Sequence, residues 1–304
     1  MTVQVLNKKK KIDWKRTLFI IGMLAYPILH FVIFFIYVNI DSVLMTFQTF
    51  DYEHEKFIWG FENYRRFFLE TFNPNYYQIR TAVFNSLLFG FNDILLVLIS
   101  LVLAYFFFKK IPGRQFFRIV FFLPSIISIV VYTMAYTFMF EPELGPINQL
   151  ITAFGGNEPL WFADKWLTRF LIASYCLWVG TGYNILIFGG AMANLNSEVI
   201  EYAKLDGVGM FRELFQIILP MIWPTLSVAF LGSVTTIFTL FLQVQLIGGD
   251  TIAAPRTIAY MINGSVSSNP EWAATIGICF TIVATPMILF VKKMIDYIGK
   301  KFGY

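Results

Sequence analysis

Charge is scarce in this chain. Only 14% of its 304 residues are Asp, Glu, Lys or Arg, against 57% hydrophobic and 19% aromatic. A soluble domain averages about 25% charged residues. So few charges cannot cover a water-facing surface, which excludes an ordinary soluble domain and implies a polytopic membrane protein. Cysteine and histidine are scarcer still. Cys176 and Cys279 both fall in apolar runs and read as small buried side chains, not as a disulfide or a metal pair. His30 and His54 stand alone, which argues against a zinc or haem site. No GxxxxGK[ST] phosphate loop occurs, so the chain is not expected to hydrolyse ATP by itself. No His, Cys or paired-acid cluster supports an intramembrane enzyme. Low-complexity tracts and internal repeats are lacking too.

The chain is instead rich in long apolar runs. Six stretches reach the roughly 20 residues that cross a bilayer: 18–40, 82–108, 119–140, 170–195, 225–247 and 273–291. The first holds Pro27, is long and lacks a small-residue cleavage site, so it is expected to be a span and not a cleaved signal. The basic residues then set the orientation. Lys8, Lys9, Lys10, Lys11, Lys15 and Arg16 precede the first run. Lys109, Lys110, Arg114 and Arg118 follow the second, Lys204 and Arg212 follow the fourth, and Lys292, Lys293, Lys300 and Lys301 end the chain. Those sixteen of the 23 Lys and Arg mark one side, which the positive-inside rule assigns to the cytoplasm together with both termini. Asp51, Glu53, Glu55, Glu141, Glu143 and Glu158 fall on the other side.

The expected external connections, 47–81, 141–169 and 248–272, are too short for a folded outer domain of ordinary size. The whole chain, 1–304, is therefore expected to form one all-α membrane domain with a cytoplasmic tail at 1–16. Aromatics at helix-like spacing in FIWGFENYRRFF (57–68) predict an interfacial amphipathic helix. The basic run KKKKIDWKR (8–16) abuts a span and reads as a topology anchor against anionic lipid, not as a nucleic-acid patch.

The fourth and fifth runs are joined by a segment, 196–224, that is costly to keep dry. It holds Glu201-Tyr-Ala-Lys-Leu-Asp-Gly207, then nine residues, then Ile217-Ile-Leu-Pro220. Ser197 is the expected N-cap of a short helix, with Glu198 and Glu201 in a first turn favoured by the helix dipole. Gly207 permits a turn, and Pro220 and Pro224 set the start of the fifth span.

Glu201, Ala203, Gly207, Ile217, Leu219 and Pro220 stand at the spacing of the EAA loop, which resembles that of permease subunits of ATP-binding-cassette importers; Tyr202 departs from it, where Ala is usual. GFENYRRFF (60–68), FFLPSIIS (121–128), GPIN (145–148), LWF (160–162), WVGTGYN (178–184) and LIGGD (246–250) are similar to the sugar-importer branch, on the maltose and glycerol-phosphate side. The usual Gly-Gly-Gly-Pro after the fifth span is absent: Gly248, Gly249 and Asp250 stand there, and the proline comes at Pro255.

The resemblance implies a type I importer permease fold in a bacterial plasma membrane. It implies that Glu201 and Asp206 anchor the loop in an ATPase groove, with Ala203, Leu205 and Gly207 inside it. It implies partners as well: an unlike second permease, two ATPase subunits that carry ATP and Mg, an extracytoplasmic solute-binding protein, and a sugar as cargo. No cofactor is expected in this chain. Sugar-contacting positions of the maltose permease fall on Val179, Gly180 and Tyr183, and on Ser233, Thr236, Ile237 and Leu240; Ser125 is a further candidate. Two positions that carry amides there are Ile237 and Leu240 here, which argues against simple transfer of maltose specificity. These residue types also serve helix packing.

Asp93, beside Asn92 in the second run, is costly at that depth by a few kcal/mol. It is either a structural hydrogen-bonding group or the coupling residue of a proton- or sodium-driven carrier, the rival reading. The orientation is checked by placing single cysteines at Asn7, Asn157 and Lys300 in a chain lacking Cys176 and Cys279. An impermeant thiol reagent on intact cells is expected to label position 157 alone. Labelling at 7 or 300 overturns the orientation.

Overall fold

A computed structural model describes residues 14–51, 54–249 and 255–303. The tail residues Lys8–Lys11, Glu53 of the first external connection and Asp250 of the 246–250 motif lie outside the described residues. Helix α1, Trp14–Met45, contains a π-helical turn at Val32–Tyr37 and buries none of its side chains. Its last turns lie beside α13 (Pro270–Lys301). Strands β1 (Gln48–Asp51) and β2 (Lys56–Trp59) then pair antiparallel, from Gln48 opposite Trp59 to Asp51 opposite Lys56. This short hairpin is a local addition to a chain that is mostly helical, as expected. Helix α2, Glu62–Phe72, takes only the second half of the amphipathic helix expected at 57–68. Asn63 pins it to the hairpin by donating to the Gln48 carbonyl at 2.8 Å.

The centre of the bundle is α3, Gln78–Phe108. It packs on α7 (Lys165–Ala193) and on α10 (Trp223–Thr239). Sequence explains the closeness. Ala82, Ser86 and Gly90 recur every fourth residue on α3 and are buried, so a seam of small side chains faces the neighbours. A Cβ at Gly90 would lie 2.1 Å from Ile237 Cγ1 of α10. One at Gly180 of α7 would lie 2.4 Å from Leu96 Cδ1 of α3. Helix α13 closes the bundle against α10 and against α12 (Ile258–Val266).

Two expected spans are not continuous helices. The run 119–140 divides into α4 (Arg114–Ile126) and α5 (Ile129–Met139), bent by 111°. Ile127 and Ser128 are extended, with ψ of 145° and 131°, and Pro124 precedes them. At about 1.5 Å per residue, eleven-residue α5 cannot cross a bilayer alone. The run 225–247 divides into α10 and α11 (Leu242–Gly248), because Leu240 and Phe241 leave the helical region. Four described helices are long and apolar enough to cross a membrane, or up to six if α4 with α5, and Met210–Met221 with α10, each count as one bent span.

Beyond α5, α6 (Pro146–Ala153) and the turn at 160–162 form a small cap. Asn148 Oδ1 accepts from Trp161 Nε1 at 2.7 Å, and the Trp161 ring packs edge-on against Phe140. The motifs GPIN and LWF, apart in sequence, thus meet.

Helices α7 and α4 meet closely at Gly182. A Cβ at Gly182 would sit 2.0 Å from the Phe121 carbonyl oxygen, a backbone atom that cannot rotate away. Gly182→Ala is expected to destabilise the detergent-solubilised protein by about 1–3 kcal/mol, the usual cost of overpacking. Gly22→Ala, where a Cβ meets nothing within 4 Å, provides the control. Equal thermal midpoints for the two variants would show that the contact is not tight.

Candidate functional site

The segment between α7 and α10 forms two helices, α8 (Ser197–Leu205) and α9 (Met210–Met221). The cap of α8 is Asn196, one residue before the expected Ser197: its Oδ1 accepts from the Glu198 amide at 3.0 Å. The other end closes by a Schellman arrangement. The Val208 amide donates to the Ala203 carbonyl at 3.0 Å and the Gly207 amide to the Lys204 carbonyl at 3.1 Å. Gly207 takes φ +69°, the left-handed conformation that glycine accepts freely.

Helix α8 is two-faced. Ile200 and Ala203 are buried, and Ile200 joins the core formed by α3, α7, α9 and α10. Glu201, Tyr202, Asp206 and Gly207 face outward, and Leu205 is 82% exposed. The resemblance places Ala203 in a partner's groove beside Leu205 and Gly207. The structure instead turns it into the chain's own body, because it lies three residues after Ile200 on the same helix face.

Helix α9 carries the segment back to the bundle and bends by 85° into α10 at Ile222, with Pro220 before the bend and Pro224 in the first turn after it. Glu213 of α9 is only 2% exposed. Both its oxygens accept from Lys109 Nζ, at 2.9 and 2.6 Å, across 104 residues of sequence. Lys109 immediately follows α3. Removing one partner from such a buried pair leaves an uncompensated charge, which costs about 3–5 kcal/mol. Neither residue stands out in the sequence. Glu213 lies among ordinary loop charges, and Lys109 in a basic turn that reads as a topology signal.

Higher in the bundle lie two cavities that share a wall. The smaller, about 190 Å³, is lined by Val179, Gly180, Thr236 and Leu240 among others. The larger, about 670 Å³ and open, is lined by Tyr183, Asn184, Ser233 and Thr236 among others. Asp93 and Thr236 line both. Six of the eight expected path residues therefore converge here from α7 and α10. Ser125 and Ile237 line neither cavity. The Ser125 hydroxyl donates to the Phe122 carbonyl at 2.7 Å, and Ile237 fills the notch opposite Gly90. Leu240, besides lining the smaller cavity, ends α10 and accepts from Thr257 Oγ1 at 2.5 Å.

Asp93 joins two helices. Its Oδ2 accepts from Thr236 Oγ1 at 3.1 Å and its carbonyl accepts from Ser233 Oγ at 3.3 Å. Asn92 donates to the Ala173 carbonyl of α7 at 3.2 Å. The adjacent polar pair thus holds α10 and α7 to α3. A second polar bridge carries no signal in the sequence: Arg169 Nε donates to Asn85 Oδ1 at 2.8 Å, and Asn85 Nδ2 donates to the Arg256 carbonyl at 2.8 Å. Among the described residues, no three His, Cys, Asp or Glu side chains gather as a metal site.

Residues 96–304 match the family described as binding-protein-dependent transport system inner membrane component. The probable ABC transporter permease protein YurN of Bacillus subtilis is 30% identical over 252 residues, 81% of each chain. The arabinooligosaccharides transport system permease protein AraP of Halalkalibacterium halodurans is 29% identical, over 65% of this chain and 61% of that protein. The maltose/maltodextrin transport system permease protein MalF of Klebsiella aerogenes is 27% identical, over 66% of this chain and 40% of that protein. A solved chain of a bacterial alginate ABC transporter, in complex with an alginate pentasaccharide-bound periplasmic protein, superposes with a TM-score of 0.81. It is 21% identical, over 95% of this chain and 97% of that one, and so shares the fold. Fold, apolar helices and sequence agree: the chain belongs to the family of binding-protein-dependent transport system inner membrane components, as an ABC transporter permease.

Proposed function

We propose that this chain is one permease half of an ATP-driven, binding-protein-dependent importer of oligosaccharides in a bacterial plasma membrane. Six spans form one membrane domain, with both termini in the cytoplasm. Its partners are an unlike permease, two ATPase subunits that hold ATP and Mg, and an extracytoplasmic solute-binding protein. The observation that carries this reading is α8, a short helix with both ends capped, whose inner face is buried and whose outer face offers Glu201, Leu205 and Asp206. A rigid lever with an unused polar and apolar face suits docking to an ATPase. The carbohydrate class is supported by relatives named for arabinooligosaccharides and maltodextrin.

Movement of α8 reaches the solute path through two joints. One is the bend from α9 into α10, and α10 carries Ser233 and Thr236. The other is Glu213 on Lys109 at the end of α3, which carries Asp93. Closure of the ATPases over ATP draws the coupling helices of the two permeases together and tilts α3 and α10, opening the cavities outward. Asp93 contributes a structural hydrogen bond in this mechanism. A proton- or sodium-coupled carrier would require it to exchange partners, yet it already accepts from Thr236, and such a carrier has no use for α8.

Glu201→Ala and Gly207→Asp test the coupling. The first removes a charged contact, which is typically a matter of about 1.5–3 kcal/mol, or tenfold and more in affinity. The second forces a side chain into the left-handed region at roughly 1–2 kcal/mol. Both variants are expected to insert normally, to recover less ATPase in pull-down and to lose ATP-dependent uptake, while collapse of the proton gradient leaves wild-type uptake intact. Full ATPase recovery and normal uptake in both variants would sink the coupling role. Uptake by the wild type on a proton gradient without ATP would favour the carrier.

The path is tested by Tyr183→Ala and Thr236→Val. Tyr183 is 61% exposed and lines the larger cavity, so its loss removes both an aromatic face and a hydroxyl. A hydrogen bond to a sugar hydroxyl contributes about 0.5–1.5 kcal/mol, so half-saturation for uptake should rise roughly two- to twelvefold. Thr236→Val additionally strips Asp93 of a donor and is expected to lower stability by about 1–3 kcal/mol. Unchanged uptake and selectivity in both variants, in assembled complexes, would make these residues packing groups.

A further inference from the structure

A third cavity, of about 570 Å³, opens at the Lys109 end of the bundle, between the last turns of α3, the start of α4 and the last turns of α7. Phe107 and Phe108 contribute apolar wall from α3. Lys110, Arg114 and Arg118 contribute the charge. The local chain geometry builds this cluster. Lys110 and Gly113 both take positive φ, +58° and +76°, so the chain reverses tightly after α3. Arg114 and Arg118 then stand one turn apart on one side of α4.

The charge is uncompensated. No Asp or Glu lines the cavity. Among the described residues Lys110, Arg114 and Arg118 enter no ion pair, whereas the neighbouring Lys109 is held by Glu213. On α7 the wall is cut away at Gly190, where an added Cβ would meet nothing within 4 Å. The rest of α4 is amphipathic and presents Phe116, Ile119 and Leu123 outward, as a helix at a membrane boundary does.

We propose that this cavity binds the headgroup of an anionic phospholipid, with phosphate on Lys110, Arg114 and Arg118 and the glycerol end against Phe107 and Phe108. Guanidinium forks match phosphate oxygens, and three cations in a partly enclosed site favour an anion over a zwitterion. Basic pockets between membrane helices commonly recognise lipid headgroups. The volume and apolar wall suit a phosphate that carries a glycerol backbone better than a small free anion, which would leave most of the space to water. The proposal requires only that this end of the bundle lie at a membrane surface, and it is independent of what the protein transports.

The test is native mass spectrometry of the full chain, purified in mild detergent with its native partners and exposed to phosphatidylglycerol or phosphatidylcholine. Wild type is expected to retain phosphatidylglycerol at least tenfold more than phosphatidylcholine. Lys110→Gln, Arg114→Gln and Arg118→Gln combined should abolish the preference. Gly190→Leu should reduce phosphatidylglycerol retention with every charge in place. If one variant does not fold, the other decides. Equal retention of the two lipids by wild type overturns the proposal, as does an unchanged preference in the variants. Displacement of phosphatidylglycerol by millimolar inorganic phosphate would make this a soluble-anion site and also overturn it. Loss of a partner subunit from the variants with lipid retention unaltered would make the cavity a subunit contact, and would overturn it too.

Discussion

The close approach of α3 to α7 and α10 is the constraint on which the rest of the structure depends. In a bilayer there is little hydrophobic drive between helices, since lipid tails are as apolar as the side chains. Contact must come from shape. The seam of Ala82, Ser86 and Gly90 on α3 and Gly180 on α7 supply it, with Ile237 of α10 filling the notch at Gly90 and Leu96 of α3 the notch at Gly180. The polar links that α3 makes to its neighbours at mid-bundle rely on that approach. Asn92 reaches α7, Asp93 reaches α10 and Asn85 reaches Arg169 only because the helix axes are near enough for short side chains to span the gap. The two central cavities are the places where the same seam opens around Asp93.

Polar groups follow a consistent division of labour in this bundle. At one end the Arg169–Asn85–Arg256 bridge fastens the chain that leads into α12 back onto α3. At mid-depth Asp93 and Asn92 tie three helices together. At the other end Lys109 and Glu213 hold the α8–α9 segment to α3. Each is charge- or amide-based, each joins elements remote in sequence, and each is satisfied by a partner, as an environment poor in water demands.

Much of this is legible in the residues. Apolar run length locates the four continuous helices long enough to cross a membrane, and the caps and turn residues of 196–224 locate the short helix α8. Gly207 reads as a turn residue and does take positive φ. The path candidates on α7 and α10 fall largely on the cavity walls because helical periodicity fixes which residues share a face. Other features depend on tertiary context. Pro124 marks a weak point in the run 119–140, but the 111° bend at Ile127–Ser128 is not written there, since hydropathy carries no record of direction. Strand β2 reads as the start of a helix in the sequence because alternation over four residues is too short to separate the two periods. Ala203 cannot be assigned to a face without knowing which side of α8 the core occupies. Lys109 and Glu213 are invisible as a pair because nothing local links residues so far apart.

That pair has a consequence for the order in which the chain matures. Glu213 is paired with a cation at the end of α3, which is made about a hundred residues earlier, a separation given by the 104 residues between the partners. A carboxylate that meets a low-dielectric crevice without a cation is strongly disfavoured there. The α8–α9 segment therefore settles onto the bundle only after α3 is in its final position, and such long-range contacts form late because chain closure must precede them. With the pair formed, α8 and α9 are fastened to the end of α3. A salt bridge that fastens the finished protein thus also makes the seating of α8 and α9 depend on the prior placement of α3.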